Sequence, residues 1–285
     1  MTCSDLLVIV AEMSGAVTRS EVLPCNDGFR RQQDVPSAAT FTQSRSNKGA
    51  SIQNSSLPAI FYDTLFDHLG PQNWWPARTP FEVIVGAILT QNTSWTNVER
   101  AITNLRREHL LTPRALERVS FARLGALIRS SGYFRQKAKK LKAFVRFLRN
   151  EYSGSLAQMF RTPASELREK LLAVHGIGPE TADSILLYAA KKDIFVVDTY
   201  TRRIFSRHGF VPEDVSYEEL RAKIEADLSR DVSRYNEFHA LLVTTGKNWC
   251  RRRDPLCSKC PLGRFLPDIK KRPAEQSAGG ENHTG

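Results

Sequence analysis

The segment Leu172-Ala173-Val174-His175-Gly176-Ile177-Gly178-Pro179-Glu180-Thr181-Ala182 constrains this chain more than any other. Before it, Leu167, Leu171, Leu172 and Val174 recur at helical spacing; after it, Ala182, Ile185, Leu186 and Ala189 do the same. Two helices are thus joined by a Gly-X-Gly turn. The second opens with Pro179, tolerated at the first helical position because an N–H there has no partner anyway. Glycine admits left-handed backbone angles and lets a ligand approach the main chain closely. The second helix then offers unpaired N–H groups and the positive end of its dipole to a phosphate. The pattern reads as a helix-hairpin-helix, in which His175, Gly176, Ile177, Gly178 and Thr181 would grip a nucleic-acid backbone without reading bases. It is also the pattern of a plain αα-hairpin with a glycine cap.

The rest of the chain is patterned for helices. Phe81, Ile84, Val85, Ile88 and Leu89 share one face, as do Trp95, Val98, Ile102 and Leu105. Leu124, Leu127 and Ile128 follow, then Ala138, Leu141, Phe144, Val145 and Leu148, and late in the chain Phe238, Leu241, Leu242 and Thr245. Phe195-Val196-Val197 has the composition of a strand but no evident partner, so the expected fold class is all-α. Residues 1–56 contain only Phe29 and Phe41 as aromatics and are rich in Ser, Thr, Gln and Asn; they are expected to be a disordered extension, and 269–285 a disordered tail. Leu6–Ala11 is apolar but has no preceding Lys or Arg, so it is not read as a signal or anchor. No apolar run is long enough to span a bilayer. A net charge of +11 points to a polyanionic partner, and the odd count of five cysteines argues against a disulfide framework and for a cytoplasmic chain.

Beyond the hairpin lies Val196-Val197-Asp198-Thr199-Tyr200-Thr201. An Asp directly after an apolar trio is partly shielded from water, and it is well placed to cap the helix that follows. Hairpin, apolar run and Val-Asp-Thr together resemble the endonuclease III superfamily of DNA glycosylases, the helix-hairpin-helix/Gly-Pro-Asp group, from about Phe61 to Cys260. The resemblance implies that Asp198 is the catalytic carboxylate, and the chemistry agrees. Cleaving an N-glycosidic bond builds oxocarbenium-like charge, which a placed carboxylate stabilises while orienting water. Members with lyase activity carry a nucleophilic Lys two positions after the second hairpin glycine. Here that position is Glu180, which cannot form a Schiff base, so a monofunctional enzyme is expected.

Asn73-Trp74-Trp75-Pro76 and Thr90-Gln91-Asn92-Thr93-Ser94-Trp95 hold three of the four tryptophans. They read either as core aromatics or as walls for a flipped base. The second reading resembles the 3-methyladenine glycosylase branch of the superfamily, which implies a pocket formed by Trp74, Trp75, Pro76 and Trp95. A cationic alkylated purine would gain cation–π attraction there, roughly 0.5–2 kcal/mol. The same branch implies a pocket lysine, Lys247, which could equally serve only the dipole of its own helix. It also implies that Gln91 fills the hole left by the extruded nucleotide, where a solvated turn residue is the plainer alternative.

Cys250-(6)-Cys257-(2)-Cys260 matches three of the four ligand positions of the family's [4Fe–4S] loop. The fourth falls on Leu266. The loop is therefore degenerate, and the sequence leaves open whether it holds a cluster; no cofactor is required for the chemistry.

The expected architecture is a two-lobed glycosylase fold: a six-helix barrel over 83–198 carrying the hairpin, and a second helical lobe from 57–82 with 199–268. The expected function is monofunctional excision of an alkylated purine such as 3-methyladenine from double-stranded DNA, by a nucleoid-associated monomer, with a downstream AP endonuclease and no membrane. The alternatives are an endonuclease III-like or mismatch glycosylase acting on pyrimidine lesions, a non-catalytic helix-hairpin-helix DNA-binding protein, and, more remotely, a lyase using Lys191 or Lys192. Binding dominated by phosphate contacts predicts that the logarithm of duplex affinity falls linearly with that of salt concentration. Fluorescence anisotropy between about 50 and 200 mM salt measures the slope; a flat response would remove the polyanion reading.

Overall fold

The computed structural model describes residues 56–267 apart from Asn73 and Pro76. The chain divides into Met1–Lys48 and Gly49–Gly285, and every described residue lies in the second unit. The expected disordered termini fall almost wholly outside the described residues, as does Pro76. Among the described residues there is no β-strand, and no helix is long and apolar enough to cross a membrane. The fold is all-α.

The helices are α1 (Leu57–Leu69), α2 (Pro80–Leu89), α3 (Trp95–Arg107), α4 (Pro113–Arg118), α5 (Phe121–Leu127) and α6 (Phe134–Tyr152). They continue with α7 (Leu156–Arg161), α8 (Ala164–Leu172), α9 (Pro179–Ser184), α10 (Thr199–Arg207), α11 (Tyr217–Asp227) and α12 (Val232–Asn248). Many begin where a short polar side chain accepts a hydrogen bond from the first turn: Thr79, Thr112, Ser120, Ser155, Asp198, Ser216 and Asp231. Each such cap is worth about 1 kcal/mol, and each explains why its helix starts where it does.

Helix α2 is apolar on every side and is buried from Phe81 through Leu89, as expected for a central helix. It packs against α3, α6 and α9. Its one buried charge, Glu82, is met by Arg106 at 2.6 Å. The other end of the chain folds back on itself: α1 packs on α11 and α12, and α10 on α12. Phe61 of α1 meets Phe205 of α10 and Phe265, with ring centroids 5.4 and 5.8 Å apart.

Two local features depart from simple periodicity. The helix read from Pro179 onward does not stay α-helical; it widens into a π turn over Ile185–Ala189. Phe195-Val196-Val197 is extended but joins no sheet. Side chains of α11 satisfy it instead: Phe195 N–H donates to Glu225 at 2.8 Å, and Val197 N–H to the Tyr217 hydroxyl at 3.3 Å. Buried main-chain donors need such partners.

Behind this segment lies a buried ion pair. Arg168 of α8 donates from Nε to Asp183 Oδ1 at 2.7 Å and from Nη2 to Oδ2 at 3.1 Å, and Tyr217 donates to Oδ2 at 2.9 Å. The Asp183 side chain is fully buried and that of Arg168 is 15% exposed. Arg168 keeps Glu218 at 2.6 Å when the Asp183 charge is removed, but loses the buried acceptor of both donors, so Asp183→Asn is expected to cost about 3 kcal/mol in urea unfolding. The double replacement Arg168→Met with Asp183→Leu should lose much less; equal losses would show that the pair itself does not matter.

Candidate active site

Asp198 is the N-cap of α10: its Oδ1 accepts from Thr201 N–H at 2.7 Å. Its Oδ2 lies 3.7 Å from Nε2 of His239, and its side chain is only 11% exposed. Burial alone would raise the carboxyl. His239 and the Thr201 N–H more than offset it, and hold Asp198 below the usual carboxylate range. His239, itself buried, is paired through Nδ1 with the hydroxyl of Tyr188 in the π turn.

Glu180, in the first turn of α9, is reachable by water yet hemmed in by protein, as a group in a cleft is. Burial, then the charge of Asp198, push its carboxyl up to about 6, with His239 opposing. Two neighbouring carboxyls are thus driven apart, one kept ionised and the other partly protonated near neutrality. Lys247, near the end of α12, has its ammonium 5.5 Å from the centroid of the Trp74 ring. Burial lowers its pKa and the charge of Asp198 works against that shift. Asp198, Glu180, His239 and Lys247 therefore form one electrostatically coupled group. His239 and Tyr188 were not singled out from sequence. The available signal was a histidine two turns before Lys247, set within the apolar run Phe238–Val243.

The tryptophans are arranged differently from two walls with a slot between them. Trp75 meets Trp95 edge to face with centroids 5.3 Å apart, and Tyr188 at 5.0 Å. A Cβ on Gly86 would lie 3.2 Å from the Trp75 ring. With Trp75 and Trp95 touching, no base lies between these two rings in this arrangement. Trp74 and Trp75 line a cavity of about 210 Å³ with Arg78, Tyr188 and Lys191. Asp198 and Glu180 line another, of about 1170 Å³, rich in arginine through Arg202, Arg203, Arg207 and Arg252. The two cavities share no lining residue; Tyr188, His239 and Lys247 connect the tryptophans to the carboxylate.

The hairpin is built around Gly176, whose φ of +84° needs glycine and whose Cβ would lie 2.4 Å from Lys140 Cγ. Gln91 clasps the turn: its Nε2 donates to Gly176 O at 3.2 Å and Thr181 Oγ1 at 2.9 Å, and its Oε1 accepts from Lys140. The Ile177 side chain is buried and its N–H is taken by Val174 O at 3.0 Å. Thr181 is also buried. Of the hairpin positions read as backbone contacts, His175 and Gly178 are the exposed ones.

Cys250, Cys257 and Cys260 form no disulfide. Among the described residues, no group of three or more His, Cys, Asp and Glu side chains is arranged to hold a metal ion. The position of a fourth thiolate is occupied by the buried side chain of Leu266, so the donors present do not fit a four-thiolate cluster. Arginines of α10 grip the loop instead. Arg203 donates to Cys250 O at 2.7 Å, and Arg207 donates to Arg251 O at 2.7 Å and Arg252 O at 3.1 Å.

Residues 85–229 match the HhH-GPD superfamily of base excision DNA repair proteins. A Methanocaldococcus jannaschii protein named as a candidate DNA repair glycosylase is 48% identical over 72% of this chain and 93% of its own length. Endonuclease III of Thermotoga maritima is 33% identical over 68% and 85%. The structure of Helicobacter pylori 3-methyladenine DNA glycosylase bound to 1,N6-ethenoadenine superposes with a TM-score of 0.58 at 28% identity, covering 67% of this chain and 96% of that one. With Asp198 capping its helix beside the Gly176–Gly178 hairpin, this chain belongs to the HhH-GPD superfamily and is a DNA glycosylase of base excision repair.

Proposed function

We propose that this glycosylase is monofunctional and removes an alkylated purine. The observation that carries the first part is Glu180. A carboxyl, coupled to Asp198, occupies the place where the resemblance puts the lyase amine, and a carboxyl cannot attack C1′ to give an imine. The C1′–N bond breaks with its electron pair leaving on the base. Asp198 faces the positive charge that develops on the sugar and orients the water that adds to C1′, whose proton passes to the carboxylate and then to solvent. A methylated, cationic purine departs neutral, so little acid catalysis is needed. The product is an abasic site, left for an AP endonuclease.

The substrate reading is supported by Trp74. Its indole face already holds a cation, the Lys247 ammonium, and a cationic base can use the same attraction. The likeness to a 3-methyladenine glycosylase points the same way. A second reading, excision of a neutral pyrimidine lesion, is favoured by the identity to an endonuclease III.

Base release from duplexes bearing 3-methyladenine, 7-methylguanine, hypoxanthine, uracil, a T·G mismatch or 5,6-dihydrouracil separates these readings. We expect release of methylated purine, with strand breakage only after alkali. Excision of dihydrouracil alone would favour the second reading, and a borohydride-trapped wild-type complex would end the monofunctional one. Asp198→Asn should abolish excision and leave DNA binding intact; binding without excision by the wild type would make this a DNA-binding module.

The folded pKa of Glu180 lies above its unfolded value, so the folded state binds the extra proton between about 4.5 and 6. Stability therefore falls as pH rises through that window. Glu180→Gln should melt with the wild type near pH 4.5 and above it at pH 7.5 (thermal melts across the range); the reverse order would contradict the raised carboxyl.

A further inference from the structure

We propose that His239 is the positioning residue of the Asp198 carboxylate: Tyr188 holds its Nδ1 so that Nε2 faces Oδ2 and fixes the oxygen that meets the sugar. This rests on the reading of Asp198 as the catalytic group.

The two oxygens of Asp198 are not equivalent. Oδ1 is committed to the helix cap through Thr201 N–H. Among the described residues, the polar side chain nearest Oδ2 in an ion pair is His239, at 3.7 Å. His239 is 6% exposed, on a stretch of helix where Phe238, Leu241 and Leu242 are also buried, and there an imidazole is costly unless its nitrogens are used. One is used: Nδ1 pairs with the Tyr188 hydroxyl, while Nε2 makes no hydrogen bond. The Tyr188 phenol is fully enclosed, and burial first, then the charges of Asp198 and Glu237, push its pKa well above the ordinary value. The Tyr188 O–H is assigned as donor to Nδ1, the tautomer that places the ring proton on Nε2, on the side of Asp198.

The rest of the surroundings make the orientation firm. The His239 ring is flanked by Tyr188, with centroids 5.9 Å apart, and by Phe195 at 6.5 Å. Tyr188 sits in the π turn, a widening that recurs where a helix must redirect a functional side chain. The titratable groups facing the pair are Glu180 from α9, Tyr188 from the π turn, Asp198 and Tyr200 from α10, and Glu237 and Lys247 from α12 itself. Against its burial, ionisation of Asp198 is favoured by His239 on the Oδ2 side and by Thr201.

The test uses the full chain and duplex DNA methylated with dimethyl sulfate, reading single-turnover release of methylpurine against pH. A parallel ¹³C titration of the Asp198 carboxyl is made in the free protein. His239→Phe should slow release on the order of 100-fold with unchanged DNA affinity, the cost of a misplaced reacting group. Its acid limb and the Asp198 titration should both move up by about one pH unit. His239→Gln, which restores an N–H donor without a ring, should recover much of both. Tyr188→Phe keeps its ring packing and should shift the acid limb in the same direction by less; it carries the test if His239→Phe does not fold. An unmoved Asp198 titration and acid limb in these variants, whatever happens to the rate, would reduce His239 to a packing residue and overturn the proposal. If instead Asp198→Asn still releases methylpurine, the catalytic reading of Asp198 fails, while the carboxyl titration still decides whether His239 governs it.

Discussion

The buried pairing of Arg168 with Asp183 is the interaction on which the arrangement of this protein depends. Taking both charges out of water is expensive, and burial alone raises the Asp183 carboxyl above its usual range. The cost is met by matched geometry: two guanidinium donors on two carboxylate oxygens, with the Tyr217 hydroxyl on one of them. The same hydroxyl accepts from Val197 N–H, so one network ties both helices of the hairpin to the strand-like segment that ends at Asp198. Apolar side chains of equal volume could match the stability but would supply none of the directions. Asp198 and the Gly176–Gly178 turn are thereby held in a common frame.

Within that frame, chemistry is set by separating like groups. Asp198 and Glu180 are close enough to feel each other, and two neighbouring carboxylates in one cleft cannot both ionise cheaply. The helix cap and His239 favour the charge on Asp198; nothing comparable supports Glu180, which is pushed up to about 6. Lys247 spans the remaining distance to the tryptophans. Its position links the charged side of the site to the aromatic side, although the two line separate cavities.

Helix α10 serves a second end as well. Its N-terminus carries Asp198, and Arg203 and Arg207 farther along reach the carbonyls of the cysteine-bearing loop. His208, just beyond it, meets Leu262 O at 3.2 Å. The loop is further tucked in by the buried side chains of Leu262 and Leu266. Hydrogen bonds and apolar burial thus do locally the tethering that thiolate ligation would do if four cysteines were present.

Much of this was legible in the residues themselves. Periodicity along Phe81–Leu89 and Trp95–Leu105 specified helices, Gly176 specified the left-handed turn, and Asp198 before Thr199-Tyr200-Thr201 specified a cap, because each depends only on neighbours in the chain. Glu180 in place of an amine, and Leu266 in place of a thiolate, were readable once the superfamily resemblance said which residues to expect at those positions. Other features depend on partners distant in sequence, and only the tertiary structure decided them. Thr181 and Gln91 resembled DNA contacts, yet Gln91 reaches from beyond α2 to bond Thr181 of the hairpin, and Trp75 and Trp95 resembled opposed walls, yet they touch. His239 was not singled out in the sequence; packing of α12 beside the π turn brings Tyr188 and Asp198 to its two nitrogens. Sequence determined which groups were available and which local backbone each would adopt; packing between distant helices decided which of them met, because burial and charge act through space and not along the chain.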